Sequence, residues 1–514
     1  MSYCQPLYLF VFLPVVLLAY QLISAKYRWC TLLLASYVFF WTISGKLVIY
    51  LIVTSLFTHY ITVWMELIKK QCDDKKLAKK RRKRVLIFGI AVLLGILVYL
   101  KYYNFFVINI DKILTHVTSG FYLNVKTFLI PIGISFYTLE AIGYMADVYW
   151  NKVEAEKNPG KVALFLGFFP QIMEGPIALY SQTADELWEG RSLKGENLSQ
   201  GCIRIFWGLF KKLIVADRLS MLVTNIFDNY ASYHGIVIVI GAVAYTIQLY
   251  MEFSGCMDVI IGTGKLFGIT MPENFRQPFL SKNASEFWRR WHITLGVWFK
   301  TYIFYPVSVS GIVKKWNKFA RKNCSKYITK LGVSALCLFP VWLCNGLWHG
   351  SKWSYIFYGM YYFVILMLEI ATEPLVDRVQ QICHLNPDKA YYKILQVLKT
   401  WVIIFTGELF FRADGLKTGI HMFLSIFKGF RVDNLNQILM SVLDKGDYAA
   451  IIVGTVIVFA VGILKEKNII GIEKLQNVCL PVRWIIYYGL IFAVIIFGAY
   501  GIGYQQVDLI YAGF

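Results

Sequence analysis

Apolar runs, each of roughly the length that crosses a bilayer's hydrocarbon core, recur from one end of this chain to the other. The clearest occupy residues 7–23, 31–43, 47–68, 85–106, 128–149, 162–180, 236–261, 331–348, 353–370, 397–411, 451–464 and 484–500. No other feature narrows the fold so sharply. In hydrocarbon every backbone amide must be satisfied internally, so only helices or closed barrels cross it, and runs this continuous are helical. Composition agrees. Hydrophobic residues make up 57% and charged residues 16%, whereas a soluble chain carries about a quarter charged. The expectation is an all-α polytopic membrane protein with roughly 11–14 transmembrane or re-entrant helices.

Polar interruptions are short, at 151–161, 181–199, 271–285, 314–327, 373–393 and 433–447, and neither an internal repeat nor a low-complexity tract separates them. This predicts one membrane-embedded domain over 1–514, with a motif-bearing core at 131–370 and additional helices over 395–514. The first apolar run has no basic residue before it, so it reads as a retained span rather than a cleaved signal. The net charge of +21 is concentrated: ten basic residues fall between Lys69 and Arg84, wedged between two apolar runs. Such a run reads as a cytoplasmic loop under the positive-inside rule, near anionic lipid headgroups, and not as a nucleic-acid site. Three spans before it place the N-terminus outside. The ten cysteines form no CxxC pair and no metal-ligand spacing, so neither a disulfide framework nor a metal site is expected. Gly262, Gly264 and Gly268 lack the Walker spacing and a preceding strand, so they do not make a phosphate loop.

Two of the seven histidines have surroundings that single them out. His349 lies in LCNGLWHGSKW, between the uncharged stretches 331–348 and 353–368. An imidazole without partners is costly in hydrocarbon. His349 therefore sits either at a turn in water or at depth for a purpose. The second is His292. Asn283, with Glu286 three residues on, marks a helix start. On a helical period Arg289, His292, Gly296 and Lys300 share a face about 80° wide, opposite Trp291, Leu295, Trp298 and Tyr302. This predicts an amphipathic helix lying at the membrane interface. His59, His116, His234, His384 and His421 carry no such flanking pattern and read as interfacial or packing residues.

Six stretches, taken in order, resemble one family: PIGISFYTLEAIGYMADVY from Pro131, FFPQIMEGPIALYSQ from Phe168, WGLFKKLIVADRLS from Trp207, YTIQLYMEFSGCMDVIIGTGKLFGITMPENF from Tyr245, FWRRWHITLGVWF from Phe287 and GLWHG from Gly346. The family is the membrane-bound O-acyltransferases, and the chain most resembles the bacterial branch that O-acetylates exported polysaccharides such as alginate. The terminal IYAGF is similar to that branch's aromatic ending. The resemblance implies helices around a central funnel or tunnel in a multi-pass protein of the bacterial cytoplasmic membrane. It implies a catalytic histidine at His349 and a second polar position important for activity at His292. It implies an acyl thioester donor on the cytoplasmic side, acetyl-coenzyme A for an acetyl group, with no bound cofactor. Such systems end in a separate extracytoplasmic protein that places the group on the polymer, so a protein partner is expected.

Acyl transfer to a hydroxyl needs a group to take the hydroxyl proton and donors to stabilise charge on the carbonyl oxygen. An imidazole suits the first task, and His292, Asn345 or Arg289 suits the second. Trp348 and Asn274 join the candidate tunnel lining. Two roles fit His349, general base or transient acyl carrier. The chain also departs from the family pattern. Thr301 stands where aspartate is usual, Asn345 where a small hydroxyl residue is common, and Glu140, Glu174 and Glu408 where no charge is expected. Asp147, Asp217, Arg218, Glu252 and Asp258 match polar family positions; internal pairing, for example with Lys211 or Lys212, accounts for them.

Two other functions fit parts of the pattern. D-alanyl transfer to teichoic acid from a carrier protein uses related chemistry, but the apolar spans after residue 395 make the chain longer than that branch. A proton-coupled transporter or flippase would instead rest on Glu174 and Glu252; the lack of an internal repeat counts against it.

Overall fold

The computed structural model describes residues 1–114, 124–429, 435–500 and 504. His116 and the IYAGF ending at 510–514 lie outside the described residues. The helices that matter here are α1 (Arg28–Ser44), α2 (Val48–Gln71), α3 (Lys75–Leu114), α4 (Ile134–Tyr149), α5 (Gly195–Leu209), α6 (Ile236–Leu266), α7 (Ala284–Arg290) and α8 (Ile293–Phe299). They continue with α9 (Gly311–Asn323), α10 (Lys326–His349), α11 (Trp353–Ile382), α12 (Ala390–Arg412), α13 (Lys445–Glu466) and α14 (Leu480–Phe497). Among the described residues, eight helical stretches are long and apolar enough to cross a membrane: Ala25–Gln71, α3, α6, α10, α11, α12, α13 and α14. A shorter apolar stretch covers Leu7–Leu22. The protein is an all-α, multi-pass membrane protein.

The chain divides into two compact units, Met1–Ile205 with Cys256–Pro272, and Phe206–Gly255 with Glu273–Val507. In the first unit the stretch Ala25–Gln71 doubles back on itself. Gly45 adopts φ +54°, in the left-handed region that glycine enters without strain. Tyr37 Oη and Ser55 Oγ then lie 3.3 Å apart; along one straight helix eighteen residues would separate them by about 27 Å. α4 is buried from Ile134 to Val148, with Glu140 and Asp147 included.

Two sequence expectations change in this unit. The basic run is not a loop beyond Asp74, because Lys75 opens α3. At 40 residues, α3 is about 60 Å long, so it crosses the hydrocarbon core and still projects its basic first turns, about three of them, beyond it. Arg82 is buried there and donates to the Val148 carbonyl at 2.7 Å. The apolar run 162–180 is not a span either. Helix stops at Gly167, and the buried segment beyond it is irregular until Tyr180. Protein groups satisfy its backbone: Ser36 Oγ accepts from Phe169 N–H at 3.0 Å, Tyr3 Oη donates to the Phe169 carbonyl at 2.9 Å, and Glu140 Oε1 accepts from Ala178 N–H at 3.2 Å. Irregular backbone survives at membrane depth only with such partners. Hydropathy alone cannot distinguish it from a helix.

Gly262 of IGTGKLFG serves packing. A side chain at Gly262 would meet the Gly201 carbonyl at 2.8 Å, and one at Gly201 would meet the Gly262 carbonyl at the same distance. α5 and α6 thus touch backbone to backbone, as small residues allow in membranes.

The second unit contains α7 to α14. Its helix α9 has three faces. Val313 and Ala320 are buried, and the Trp316 indole N–H donates to the Thr329 carbonyl at 3.4 Å. Lys314, Lys315, Lys318, Arg321 and Lys322 are exposed and span an arc of about 120°. Ile312 and Phe319, 68% and 56% exposed, form the flank between the two.

Candidate active site

His349 ends α10, and only three residues separate it from α11. The hairpin closes tightly because glycine faces backbone at both contacts. A Cβ on Gly346 would lie 2.5 Å from the Tyr355 carbonyl oxygen, and one on Gly359 would lie 2.3 Å from that of Trp342. The glycine that opens GLWHG is therefore a requirement of packing. His349 is at a turn and yet only 5% exposed, so it is enclosed by protein and does not lie at a turn in open water. Aromatic rings enclose its imidazole: Trp348 at 5.0 Å, Phe411 at 4.9 Å and Tyr358 at 5.8 Å, all edge to face.

His292 does not lie on a continuous amphipathic helix. α7 stops at Arg290, Trp291 is extended, and His292 itself is left-handed at φ 46°, ψ 52° before α8 begins. Residues 274–276 run antiparallel beside this break. Phe275 bridges Trp291, Arg276 N–H donates to the Arg290 carbonyl at 2.9 Å, and Ile293 N–H donates to the Asn274 carbonyl at 3.0 Å. Pairing to a distant strand-like segment overrode the helical period; the period reads only local neighbours. Among the described residues Asn151, Gln277, His384 and Asn468 also have positive φ, so the angle at His292 marks the break between α7 and α8 and is not by itself a sign of function.

Asn274, wholly buried, organises the break. Its Oδ1 accepts from Thr294 N–H at 3.1 Å and from the Thr294 hydroxyl at 3.0 Å, and lies 3.1 Å from His292 Nδ1. A backbone amide only donates, so the Asn274 atom facing it is the oxygen. His292 Nδ1 must then carry a proton, and the neutral ring keeps its lone pair on Nε2. Phe253 and Trp348 pack edge-on against the ring at 4.9 and 5.5 Å. Trp348 therefore touches both histidines, and two residues far apart in sequence share one buried aromatic enclosure.

Of the remaining candidates, Asn345 lies one turn before His349 on the same face of α10. It is buried, and its Oδ1 has no hydrogen-bond partner among the described residues. Arg289 is not brought to this group. It is exposed, and its neighbour Arg290 makes the ion pairs, to Glu286 at 2.8 Å and Glu466 at 2.9 Å.

Sequence reasoning missed the roles of Tyr358, Phe411 and Glu408. Tyr358 Oη donates to Glu408 Oε1 at 2.9 Å, and Glu408 is 1% exposed. A carboxylate inside an apolar run was a usable signal for Glu408. Tyrosines and phenylalanines are too frequent in this chain for Tyr358 or Phe411 to stand out.

Four other buried acids, Asp147, Asp217, Glu252 and Asp258, pair internally. Lys212, in the π-helical turn Phe210–Ala216, meets Asp217 at 2.6 Å and Glu252 at 3.5 Å. Arg218 meets Asp447 at 2.8 Å, Arg204 meets Asp258 at 3.0 Å, and Lys152 meets Asp147 at 3.2 Å. Among the described residues no group of three histidine, cysteine or acidic side chains is placed to hold a metal ion.

Known proteins carry the same pattern. The family model of MBOAT, the membrane-bound O-acyltransferase family, matches residues 9–412. The "Probable alginate O-acetylase AlgI" of Pseudomonas aeruginosa is 34% identical over 451 residues, 87% of this chain and 79% of that protein. Its namesake from Pseudomonas putida is 32% identical over 85% of this chain and 83% of that protein. A "Peptidoglycan O-acetyltransferase" of Helicobacter pylori is 27% identical over 86% of this chain and 81% of its own length.

Proposed function

The chain belongs to the membrane-bound O-acyltransferase family, and we propose that it moves an acetyl group from a cytoplasmic thioester, acetyl-coenzyme A, to hydroxyls of an exported or cell-surface polysaccharide. Its seat is the bacterial cytoplasmic membrane. A separate extracytoplasmic protein receives the group or places it on the polymer. The names of the relatives, which concern alginate and peptidoglycan, support an extracytoplasmic sugar acceptor.

The observation that carries this reading is the meeting of His349 and His292 on one tryptophan, Trp348, inside a buried enclosure. In the reaction the acceptor hydroxyl gives its proton to His349 while its oxygen bonds to the thioester carbonyl carbon. When the carbonyl re-forms, the carbon–sulfur bond breaks, and the imidazolium returns the proton to the departing thiolate. Asn345, a turn away, offers its amide N–H to the oxygen on which charge develops. His292 has a different task from the one its residue type suggests. With its Nδ1 proton committed to Asn274, the neutral ring presents an acceptor, so it orients the incoming acceptor through a second, non-reacting hydroxyl and does not stabilise the oxyanion.

The test uses purified full chain in nanodiscs, wild type beside His349→Ala, with and without the extracytoplasmic partner. Free coenzyme A released from acetyl-coenzyme A is followed. The expected loss in His349→Ala is about 10²–10⁴-fold, the usual contribution of a general base. A folded His349→Ala protein as active as wild type would remove the catalytic assignment, and a wild type that releases nothing would remove acetyl-coenzyme A as donor.

A further inference from the structure

Glu408 is a charged residue inside an apolar helix, and the reaction scheme leaves it without a task. α12 buries it. One carboxyl oxygen accepts the Tyr358 hydroxyl proton at 2.9 Å, and the other is buried with no partner among the described residues. Such a group is expensive to insert into a membrane, and chains that retain one generally use it.

Its surroundings indicate the use. Phe411 is three residues further along α12, on the same face, and packs edge-on against His349 at 4.9 Å and 88°. Tyr358, from α11, packs edge-on against the same imidazole at 5.8 Å and 87°. The two walls are themselves 4.9 Å apart. One turn of α12 thus supplies one wall of the His349 enclosure directly and fixes the other through a hydrogen bond. Ring contacts alone are soft to sliding and tilting. A hydrogen bond to a carboxyl in a low-dielectric site is stiff and directional.

We propose that Glu408 is a positioning residue for the transfer reaction: by accepting the Tyr358 hydroxyl it holds that ring, and through it the plane of the His349 imidazole, at the angle at which the imidazole meets the acceptor hydroxyl. Catalytic groups need their direction held to about 10–20°. His349 is the last residue of its helix, and the rings packed around its imidazole set that direction.

The inference rests on His349 being the catalytic residue, so His349→Ala is measured alongside. Full chain in nanodiscs is assayed for coenzyme A release from acetyl-coenzyme A, with kcat and KM separated. The variants are Tyr358→Phe, Glu408→Leu, Glu408→Gln and the Tyr358→Phe/Glu408→Leu double, each with its thermal midpoint. Tyr358→Phe and Glu408→Leu should each lower kcat on the order of tenfold with KM nearly unchanged, as slight misplacement does. Glu408→Gln keeps an acceptor oxygen and should stay close to wild type. The double variant should be no slower than the slower single one, because both changes cut the same bond.

Losses that multiply in the double variant, a wild-type kcat in Glu408→Leu, or a Glu408→Gln variant as slow as Glu408→Leu would each overturn the inference while leaving an inactive His349→Ala, and so the site, intact. Losses that follow the thermal midpoints would mark a structural role and overturn it too. An active His349→Ala, or a wild type that releases no coenzyme A, would remove the reading of the site or donor itself, and the inference with it.

Discussion

Asn274 fixes which nitrogen of His292 carries the proton: its Oδ1, already held by the Thr294 amide, faces His292 Nδ1 at 3.1 Å. Asn274→Ala should therefore do two kinds of damage. Buried donors lose their acceptor, which costs about 1–3 kcal/mol for each one left unpaired. The His292 ring also becomes free to turn. Asn274→Asp keeps an acceptor oxygen for His292 and Thr294 but buries a carboxylate, so it should retain more activity than Asn274→Ala while still lowering the thermal midpoint. Melting curves and coenzyme A release for both variants check this. If Asn274→Ala matches wild type in both, Asn274 does not set the ring.

Gly346 and Gly489 make a controlled pair. A Cβ at Gly346 would press on the Tyr355 carbonyl at 2.5 Å, whereas one at Gly489 meets nothing within 4 Å. Gly346→Ala should force α10 and α11 apart and cost on the order of 1–3 kcal/mol, the usual price of overpacking. Gly489→Ala, in the middle of α14, should be neutral or stabilising by about 0.5–1 kcal/mol through helix propensity. Thermal midpoints in the same detergent decide it, and equal effects at the two sites would refute the close-contact explanation.

The sequence announced the spans, their helical nature and the isolation of His349, because burial in lipid leaves a continuous apolar trace. It did not announce the break at His292. That break depends on pairing between residues 274–276 and 290–293, and no periodicity within either stretch encodes it. The buried irregular segment after Gly167 escaped for the converse reason. Its side chains are as apolar as a span's, and its backbone partners, Tyr3, Ser36 and Glu140, come from remote positions. Arg289 and His292 share a face on an ideal helix, but the left-handed turn at His292 separates them.

Lys212 is shared by Asp217 and Glu252, and all three side chains are nearly inaccessible. Removing the cation should leave two buried carboxylates, so Lys212→Met should cost about 3–5 kcal/mol and sharply lower the yield of folded protein. Glu252→Gln removes one charge and leaves Lys212 its partner Asp217, so coenzyme A release should persist within a fewfold. A Glu252→Gln protein that folds normally but has lost turnover would show that Glu252 takes part in function and does not only stabilise the packing.

The three faces of α9 predict a preference among lipids. Its buried side is fixed by Val313, Ala320 and Trp316, its flank of Ile312 and Phe319 is apolar and exposed, and its five cations occupy the side opposite the buried one. None of the five has an ion-pair partner among the described residues. A helix of this form lies at the level of the headgroups, and each basic side chain near an anionic surface contributes about 1 kcal/mol. Replacing Lys314, Lys315, Lys318, Arg321 and Lys322 by glutamine should reduce the number of anionic lipids that stay bound to the protein in native mass spectrometry, with little change for zwitterionic ones. High salt should weaken the wild-type preference in the same direction. Equal retention of anionic lipid by the variant and wild type would mean that the cations face bulk water and the helix takes no part in choosing its lipids.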